Sequence, residues 1–316
     1  MKLTSKNMKN KFTLAIHGGA GNILKSKMPD EREANYIKVL NQALKAGHSI
    51  LRDGGTSLDA VEQAIIVMEN SELFNAGKGS VFSAEGSHEM EASIMCGKTL
   101  EAGAVANVRL IKNPITLSRK VMNESDYVYL SGESVQLFAK KVNVAIESAE
   151  YFHADFRFKQ WQKLQNSEKM ELDHSSDGKF GTVGAVALDL HGNLAAATST
   201  GGLTNKRYGR VGDSSVIGAG TYANNQTCAI SCTGYGEFFL RGVVAHDISC
   251  LMEYKGLTLQ QAAELVIMEK QVKLGGEGGI IGIDRLGNTS LVFNSKGMYR
   301  GTASSESERF EVQIYE

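Results

Sequence analysis

The chain has 316 residues, 42% of them hydrophobic and 22% charged, with a formal net charge of −1 at neutral pH. That composition belongs to globular proteins with a large core, and it lacks the basic stripe of nucleic-acid binders. No run approaches the ~18 apolar residues of a membrane-spanning helix, so neither nucleic acid nor membrane is an expected partner.

The four cysteines, Cys96, Cys228, Cys232 and Cys250, form no C-x-x-C pair, and no histidine lies at zinc-finger spacing. Buried free thiols in a reducing compartment are the expectation. The basic N-terminus reaches an apolar run only at Phe12 to Ile16. A signal peptide needs about 7 to 15 apolar residues. The segment therefore reads as a short tail before a first strand, and a cytoplasmic location is expected.

In chain order, "FTLAIHGGAG" reads as a buried strand breaking into a glycine turn. In "DEREANYIKVLNQALKAGHSILRDGG", Ile37, Leu40, Leu44 and Ile50 fall at helical spacing, and Gly54-Gly55 stops the helix. "TSLDAVEQAIIVMEN" restarts one, with Thr56 and Asp59 in a capping-box arrangement. Residues 74 to 108 are rich in Gly, Ala and Val and suit strands and turns. "NPITLSRKVM" places Asn113 as N-cap and Pro114 at the first helical position. Residues 151 to 181 read as a helix tail and then a loop of some 15 residues; a structureless stretch that long is usually functional or disordered.

The second half is more regular. "GAVALDLHGNLAAATST" and "GIIGIDRLGNTSLVFNS" share one shape, two apolar strands around an Asp-x-x-Gly-Asn turn, at Asp189 to Asn193 and Asp284 to Asn288. Between them lie the helical stretches "GEFFLRGVVAHDISCLMEYKG" and "TLQQAAELVIMEK", the latter with Thr258 and Gln261 as a cap pair. Hairpins around a helix pair suggest two packed sheets covered by helices. Strands this apolar cannot face water, so the sheets are expected to mix strands from both halves.

Several motifs fail. "CGKT" at Cys96 to Thr99 lacks the upstream glycine of a phosphate loop, since Ala92 stands there. "HGGAG" and "GGEGG" do not match G-x-G-x-x-G, and G-x-S-x-G and H-E-x-x-H are missing. What remains is a join and a set of clusters. Polar, aperiodic sequence before Lys179 gives way at Gly181-Thr182 to an apolar strand from Val183, followed by "TSTGGLTN", "GRVGD" and "SCTGYGE". A threonine hydroxyl is a weak nucleophile until a base takes its proton, and its own α-amine serves if peptide cleavage makes that threonine N-terminal. Such an amine has a pKa near 8. Cutting Gly181-Thr182 would free one at the edge of a rigid strand, and Gly181 offers no side chain to obstruct attack on its carbonyl.

With "HGGAG", "LFNAGKGSVF", "LEAGAVANV", "GTVGAVALDLHGNLAAATSTGG", "GRVGDS", "GAGTYANN", "SCTGYGE" and "FNSKGMYR" in order, the chain resembles the plant-type L-asparaginases and isoaspartyl peptidases of the N-terminal-nucleophile hydrolase superfamily. The likeness covers nearly all of residues 12 to 300. It implies an α+β fold, a four-layer αββα sandwich, in one domain over 1–316. It further implies self-cleavage into an α subunit, 1–181, ending in a flexible linker at about 163–181, and a β subunit, 182–316, with two of each in a heterotetramer.

By the same resemblance, Thr182 is the nucleophile at the Gly181-Thr182 cleavage site, and Thr200 orients it. Thr233 and the Gly234 N–H form the oxyanion hole. Arg210 forks onto a substrate α-carboxylate, Asp213 and the Gly236 carbonyl hold its α-ammonium, and Asn75 supports the nucleophile. The implied substrates are L-asparagine and β-aspartyl dipeptides. No organic cofactor is implied, but a structural sodium ion on backbone carbonyls is, from Met68, Glu69, Ser71, Phe74, Ala76 and Lys78; Lys78 stands where the family more often has an apolar residue. Tyr235, Arg207 and Tyr208 lie at positions expected to vary and to alter which leaving group fits.

Two alternatives stand beside this reading. A glycosylasparaginase normally carries Asp before the nucleophile, where this chain has Gly181. A non-catalytic module would use Arg210 and Asp213 to hold an amino acid. Denaturing gels discriminate the second, because the hydrolase yields chains of 181 and 135 residues and a binding module stays whole.

Overall fold

The computed structural model describes residues 11–165 and 181–316. Most of the expected linker, residues 166–180, lies outside the described residues. Among those described, the first half runs β1 (Thr13–Gly21), α1 (Asp30–Arg52), α2 (Ser57–Glu69), β2 (Met90–Cys96), β3 (Ala102–Val108), α3 (Pro114–Glu124), β4 (Tyr129–Ser131), α4 (Val135–Lys141) and α5 (Asp155–Leu164). The second begins with the strands β5 (Val183–Leu188), β6 (Leu194–Thr200), β7 (Thr221–Ala223) and β8 (Cys228–Gly234). There follow the helices α6 (Gly236–Gly242), α7 (Val244–Lys255) and α8 (Leu259–Glu264), then β9 (Gly278–Asp284), β10 (Thr289–Phe293), β11 (Gly297–Ser304) and β12 (Ser307–Tyr315).

An eight-stranded sheet has the order β12-β11-β1-β5-β6-β2-β3-β4, and a four-stranded sheet the order β10-β9-β8-β7. The larger sheet mixes strands from both sides of residue 181, as the apolar character of those strands requires. Its core strands are buried on both faces with period 2. Leu14, Ile16, Ala185 and Ala187 face one way, packing with Leu40, Leu44, Val61 and Ile65 of α1 and α2. Ala15, Val186 and Ala196 face the other way and meet Ala229, Ile281 and Ile283 of the smaller sheet. On that sheet, Ile230, Cys232 and Ile280 turn outward onto Ile248 of α7 and Ala262 of α8.

The two Asp-x-x-Gly-Asn segments form the same turn. The Oδ1 of Asp189 accepts the N–H groups of His191 and Asn193, and the Oδ1 of Asp284 those of Leu286 and Asn288. Gly192 and Gly287 supply φ of 78° and 83°, the left-handed backbone that glycine adopts freely.

The helix ends depart from expectation in three places. Thr258 and Gln261 make the full capping box, but at α2 only half forms: Thr56 accepts the Asp59 N–H, and the Asp59 carboxylate takes the Thr56 hydroxyl. Asn113 sits at the N-cap of α3 without capping it; its amide donates to Glu69 and Asn70, and the Glu69 carboxylate accepts the Ile115 N–H instead. The stretch read as one helix from Gly236 is two, because Val243 takes a left-handed conformation with φ 46°. All four cysteines are free, but only Cys228 and Cys232 are buried.

Candidate active site

Thr182 stands immediately before β5, 6% exposed. Three donors converge on the carbonyl oxygen of Gly181: the Thr182 hydroxyl at 2.5 Å, the Thr200 hydroxyl at 2.5 Å and the Asn75 amide at 3.3 Å. The two hydroxyls lie 3.3 Å apart. Thr200 closes β6, beside β5 in the sheet, so the β5–β6 register brings together residues far enough apart in sequence to share no local motif. Asn75 is fixed at both ends of its amide. Its Oδ1 accepts the Val81 N–H at 3.0 Å, and its Nδ2 also donates to Gly202 O at 2.8 Å.

Beneath this group the sheets meet closely. His17 of β1 pairs with Gly184 of β5, and its imidazole reaches Ser231 Oγ of β8 at 3.0 Å. A Cβ at Gly184 would overlap both side chains. Complete burial pushes the His17 pKa down to about 3, despite the opposing contact with the Thr182 backbone. The imidazole is neutral at physiological pH. On the same strand as Ser231, Thr233 accepts the Ala20 N–H through Oγ1 at 3.2 Å, which leaves its own proton free to donate. Gly234, with φ 156°, lies where a Cβ would strike Gly278 and Phe239.

A second group lies across Gly202, whose N–H donates to Thr200 Oγ1 at 3.0 Å. Arg210 pairs bidentately with Glu237, Nε to Oε1 and Nη2 to Oε2, both at 2.9 Å. That contact takes one edge of the guanidinium and leaves Nη1 uncommitted to Glu237; a Cβ at Gly202 would sit 3.4 Å from it. Burial works against the Arg210 charge, but Glu237, Glu91 and Asp213 together hold its pKa above the ordinary value.

Asp213 is 5% exposed, and its Oδ2 has no hydrogen-bond partner among the described residues. Burial, reinforced by the Glu91 carboxylate, pushes its pKa up to about 7. Gly236 closes the cluster, since a Cβ there would lie 2.8 Å from Arg210 Nη2 and 2.9 Å from Asp213 Oδ1. An uncommitted guanidinium face beside an orphaned acidic oxygen is the complement of a zwitterionic amino-acid head group.

Sequence reasoning assigned no role to four polar residues here. Glu237 was visible at the end of "SCTGYGE". Glu91, which accepts the Gly212 N–H at 2.9 Å and the Ser215 hydroxyl at 2.8 Å, was a lone carboxylate in an apolar strand. The buried His17 and Lys206 left no signal beyond their identity.

The loop after α2 offers oxygen atoms of another kind. The absent side chains of Gly77 and Gly79 let the carbonyls of Glu69 and Phe74 close on the turn between them. Met68 O accepts the Ser71 N–H at 3.1 Å, Phe74 O that of Ala76 at 3.0 Å and Ala76 O that of Gly79 at 3.2 Å. Phe74 O and Ala76 O each keep a second lone pair, whereas Met68 O also accepts the Asn70 N–H. Backbone carbonyl oxygens are the kind of donor a hard cation takes. Among the described residues no group of three or more His, Cys, Asp or Glu is placed to hold a metal. The Glu69 side chain does other work: buried, with its pKa pushed up to about 8, it accepts from Ser199 at 2.6 Å beside Thr200.

Known proteins are similar to this chain over most of its length. The isoaspartyl peptidase of Salmonella typhimurium is 48% identical over 296 residues, 92% of this chain and 95% of its own. That of Escherichia coli is 48% identical over 295 residues, 92% of each chain. A probable isoaspartyl peptidase/L-asparaginase 2 of Arabidopsis thaliana is 38% identical over 328 residues, 96% of this chain and 99% of its own. A family model described as asparaginase (Asparaginase_2) matches residues 10–313, and the chain belongs to that family.

Proposed function

We propose that the chain is a self-activating threonine amidohydrolase that cleaves β-aspartyl amide bonds, in isoaspartyl dipeptides and in L-asparagine, releasing L-aspartate. One observation carries the reading: three donors converge on the Gly181 carbonyl oxygen, and one of them is the hydroxyl of the next residue.

The Thr200 hydroxyl and the Asn75 amide, aimed at an oxygen that becomes negative, stabilise a tetrahedral intermediate, while the third donor, Thr182, is the nucleophile. In self-cleavage, Thr182 Oγ1 attacks the Gly181 carbonyl carbon. The C–N bond breaks, the hydroxyl proton passes to the departing amine, and water then hydrolyses the ester. The products are a Gly181 carboxylate and a free Thr182 α-amine. In turnover that amine accepts the proton from its own hydroxyl, which attacks the substrate β-carbonyl. The Thr233 hydroxyl and Gly234 N–H hold the oxyanion, and the leaving amine takes the proton back. Water releases aspartate from the acyl-enzyme.

Selectivity follows from charge. The edge of Arg210 that Glu237 leaves open receives the α-carboxylate, and Asp213 Oδ2, with the Gly236 carbonyl, receives the α-ammonium. The side-chain amide then lies over Thr182. A cation held by the carbonyls of Met68, Glu69, Ser71, Phe74, Ala76 and Lys78 would fix the loop that carries Asn75 and supply no step of the reaction. The two sheets with their outer helices form a four-layer αββα sandwich in one domain, and two α and two β chains assemble into a heterotetramer.

Comparative kinetics test the reading. Processed protein should hydrolyse asparagine and a β-aspartyl dipeptide and leave an α-aspartyl dipeptide untouched. Turnover of the α-linked peptide at a similar rate would overturn it.

A further inference from the structure

We propose that Lys206 is the positioning residue for the Thr200–Gly202 turn, and that through it both self-cleavage and amide turnover depend on this one ammonium. The proposal rests on the threonine-hydrolase reading above. Lys206 is 1% exposed, and its Nζ donates to two main-chain carbonyls, Glu89 O at 2.5 Å and Gly201 O at 3.0 Å. A lysine buried that deeply, and bonded to carbonyls instead of a carboxylate, is costly and rare. Something must fix it there.

Its position shows what it holds. Gly201 and Gly202 join the two groups of the site. The Gly201 N–H donates to Asn75 O at 3.0 Å, and the Gly202 N–H donates to Thr200 Oγ1 at 3.0 Å. Gly202 O accepts the Asn75 amide at 2.8 Å. The turn therefore sets two of the three donors on the Gly181 oxygen. Gly202 has φ 79°, and a Cβ on it would lie 3.0 Å from Lys206 Nζ, so the ammonium fills the space a side chain would need. The other carbonyl, Glu89 O, belongs to the residue preceding β2, whose Glu91 pairs with Thr200. Lys206 thus ties the turn to the strand beside it. The surroundings tune the charge with no carboxylate among the described residues bonded to it: burial lowers the lysine pKa to about 8, Glu91 and Glu89 oppose that, and Arg210 and Arg109 add to it.

The test compares wild type with Lys206→Met, which keeps the chain and removes the charge, and Lys206→Gln, which keeps a donor. Charge-assisted hydrogen bonds of this kind are worth about a factor of ten or more. Self-cleavage, followed on denaturing gels, should slow at least about tenfold, and kcat on a β-aspartyl dipeptide should fall at least about tenfold. KM should stay within about threefold, since the α-carboxylate clamp is untouched. Losses from Lys206→Met and Asn75→Ala should not multiply in the double variant, because both act on one turn.

Three results would overturn the proposal: near-normal cleavage and kcat in both variants, a loss carried by KM, which would make Lys206 part of substrate recognition, or failure of both variants to fold. Wild-type protein that stays whole and inactive would instead reject the hydrolase reading, and the two failures are therefore distinct.

Discussion

Replacing Arg210 by lysine separates substrate recognition from self-processing. Arg210 makes two hydrogen bonds of 2.9 Å to Glu237, and in the proposed function its remaining guanidinium face takes the substrate α-carboxylate. A lysine keeps the charge but cannot engage a carboxylate on each side at once. Losing one charge-assisted hydrogen bond to the substrate α-carboxylate costs about 2 to 3 kcal/mol, or roughly 30- to 150-fold at 1.4 kcal/mol per factor of ten. The clamp grips ground state and transition state alike, so the loss belongs in KM with kcat little changed. Self-cleavage needs no α-carboxylate, and none of the donors on the Gly181 oxygen comes from Arg210. Initial rates across substrate concentration, with denaturing gels of the same preparation, read both effects. If processing stopped as well, Arg210 would be a structural support for the site, and the division of labour proposed here would be wrong.

Thr182→Ala should leave a single intact chain with no turnover, and normal asparagine hydrolysis by that variant would reject the nucleophile. Asp213, held at about 7 against an ordinary 3.8, binds its proton more tightly in the folded state. Keeping it ionised above pH 7 therefore costs the fold up to about 4 kcal/mol, a cost that is absent below the unfolded value. Asp213→Asn should accordingly raise Tm at pH 8 and not at pH 3.5 while abolishing tight substrate binding; equal gains at both pH values would contradict this origin. In the wild type, kcat/KM should fall as pH drops through about 7, because a protonated Asp213 no longer attracts an ammonium. Gly184→Ala drives a methyl into His17 and Ser231 between the sheets, which should cost about 1 to 3 kcal/mol and slow self-cleavage; an unchanged Tm by calorimetry would show that the layers are less tightly packed here.

What the sequence made legible was whatever local chemistry dictates. The Asp-x-x-Gly-Asn turns close as read, because aspartate accepts the turn's own N–H groups and glycine takes the positive φ. The join at Gly181-Thr182 was legible as an abrupt change from polar, aperiodic sequence to a doubly buried strand with a threonine at the boundary. The break at Val243 was hidden, since a β-branched residue carries no signal for a left-handed conformation that its neighbours impose. The Asn113 cap failed for a related reason: Glu69, forty-six residues before Ile115, accepts the Ile115 N–H instead. Glu237, Glu91 and Lys206 share that obscurity. Each is a charge whose meaning depends on segments brought together only by the sheet register, and each is placed by tertiary partners that no spacing rule encodes.

The central claim is that one peptide bond must break before the enzyme can act. Intact-mass analysis of active protein, with Edman sequencing of its chains, tests it directly. Active protein should consist of two polypeptides of 181 and 135 residues, the second beginning Thr-Val-Gly-Ala at position 182. Full activity from a preparation containing only the unbroken 316-residue chain would contradict it.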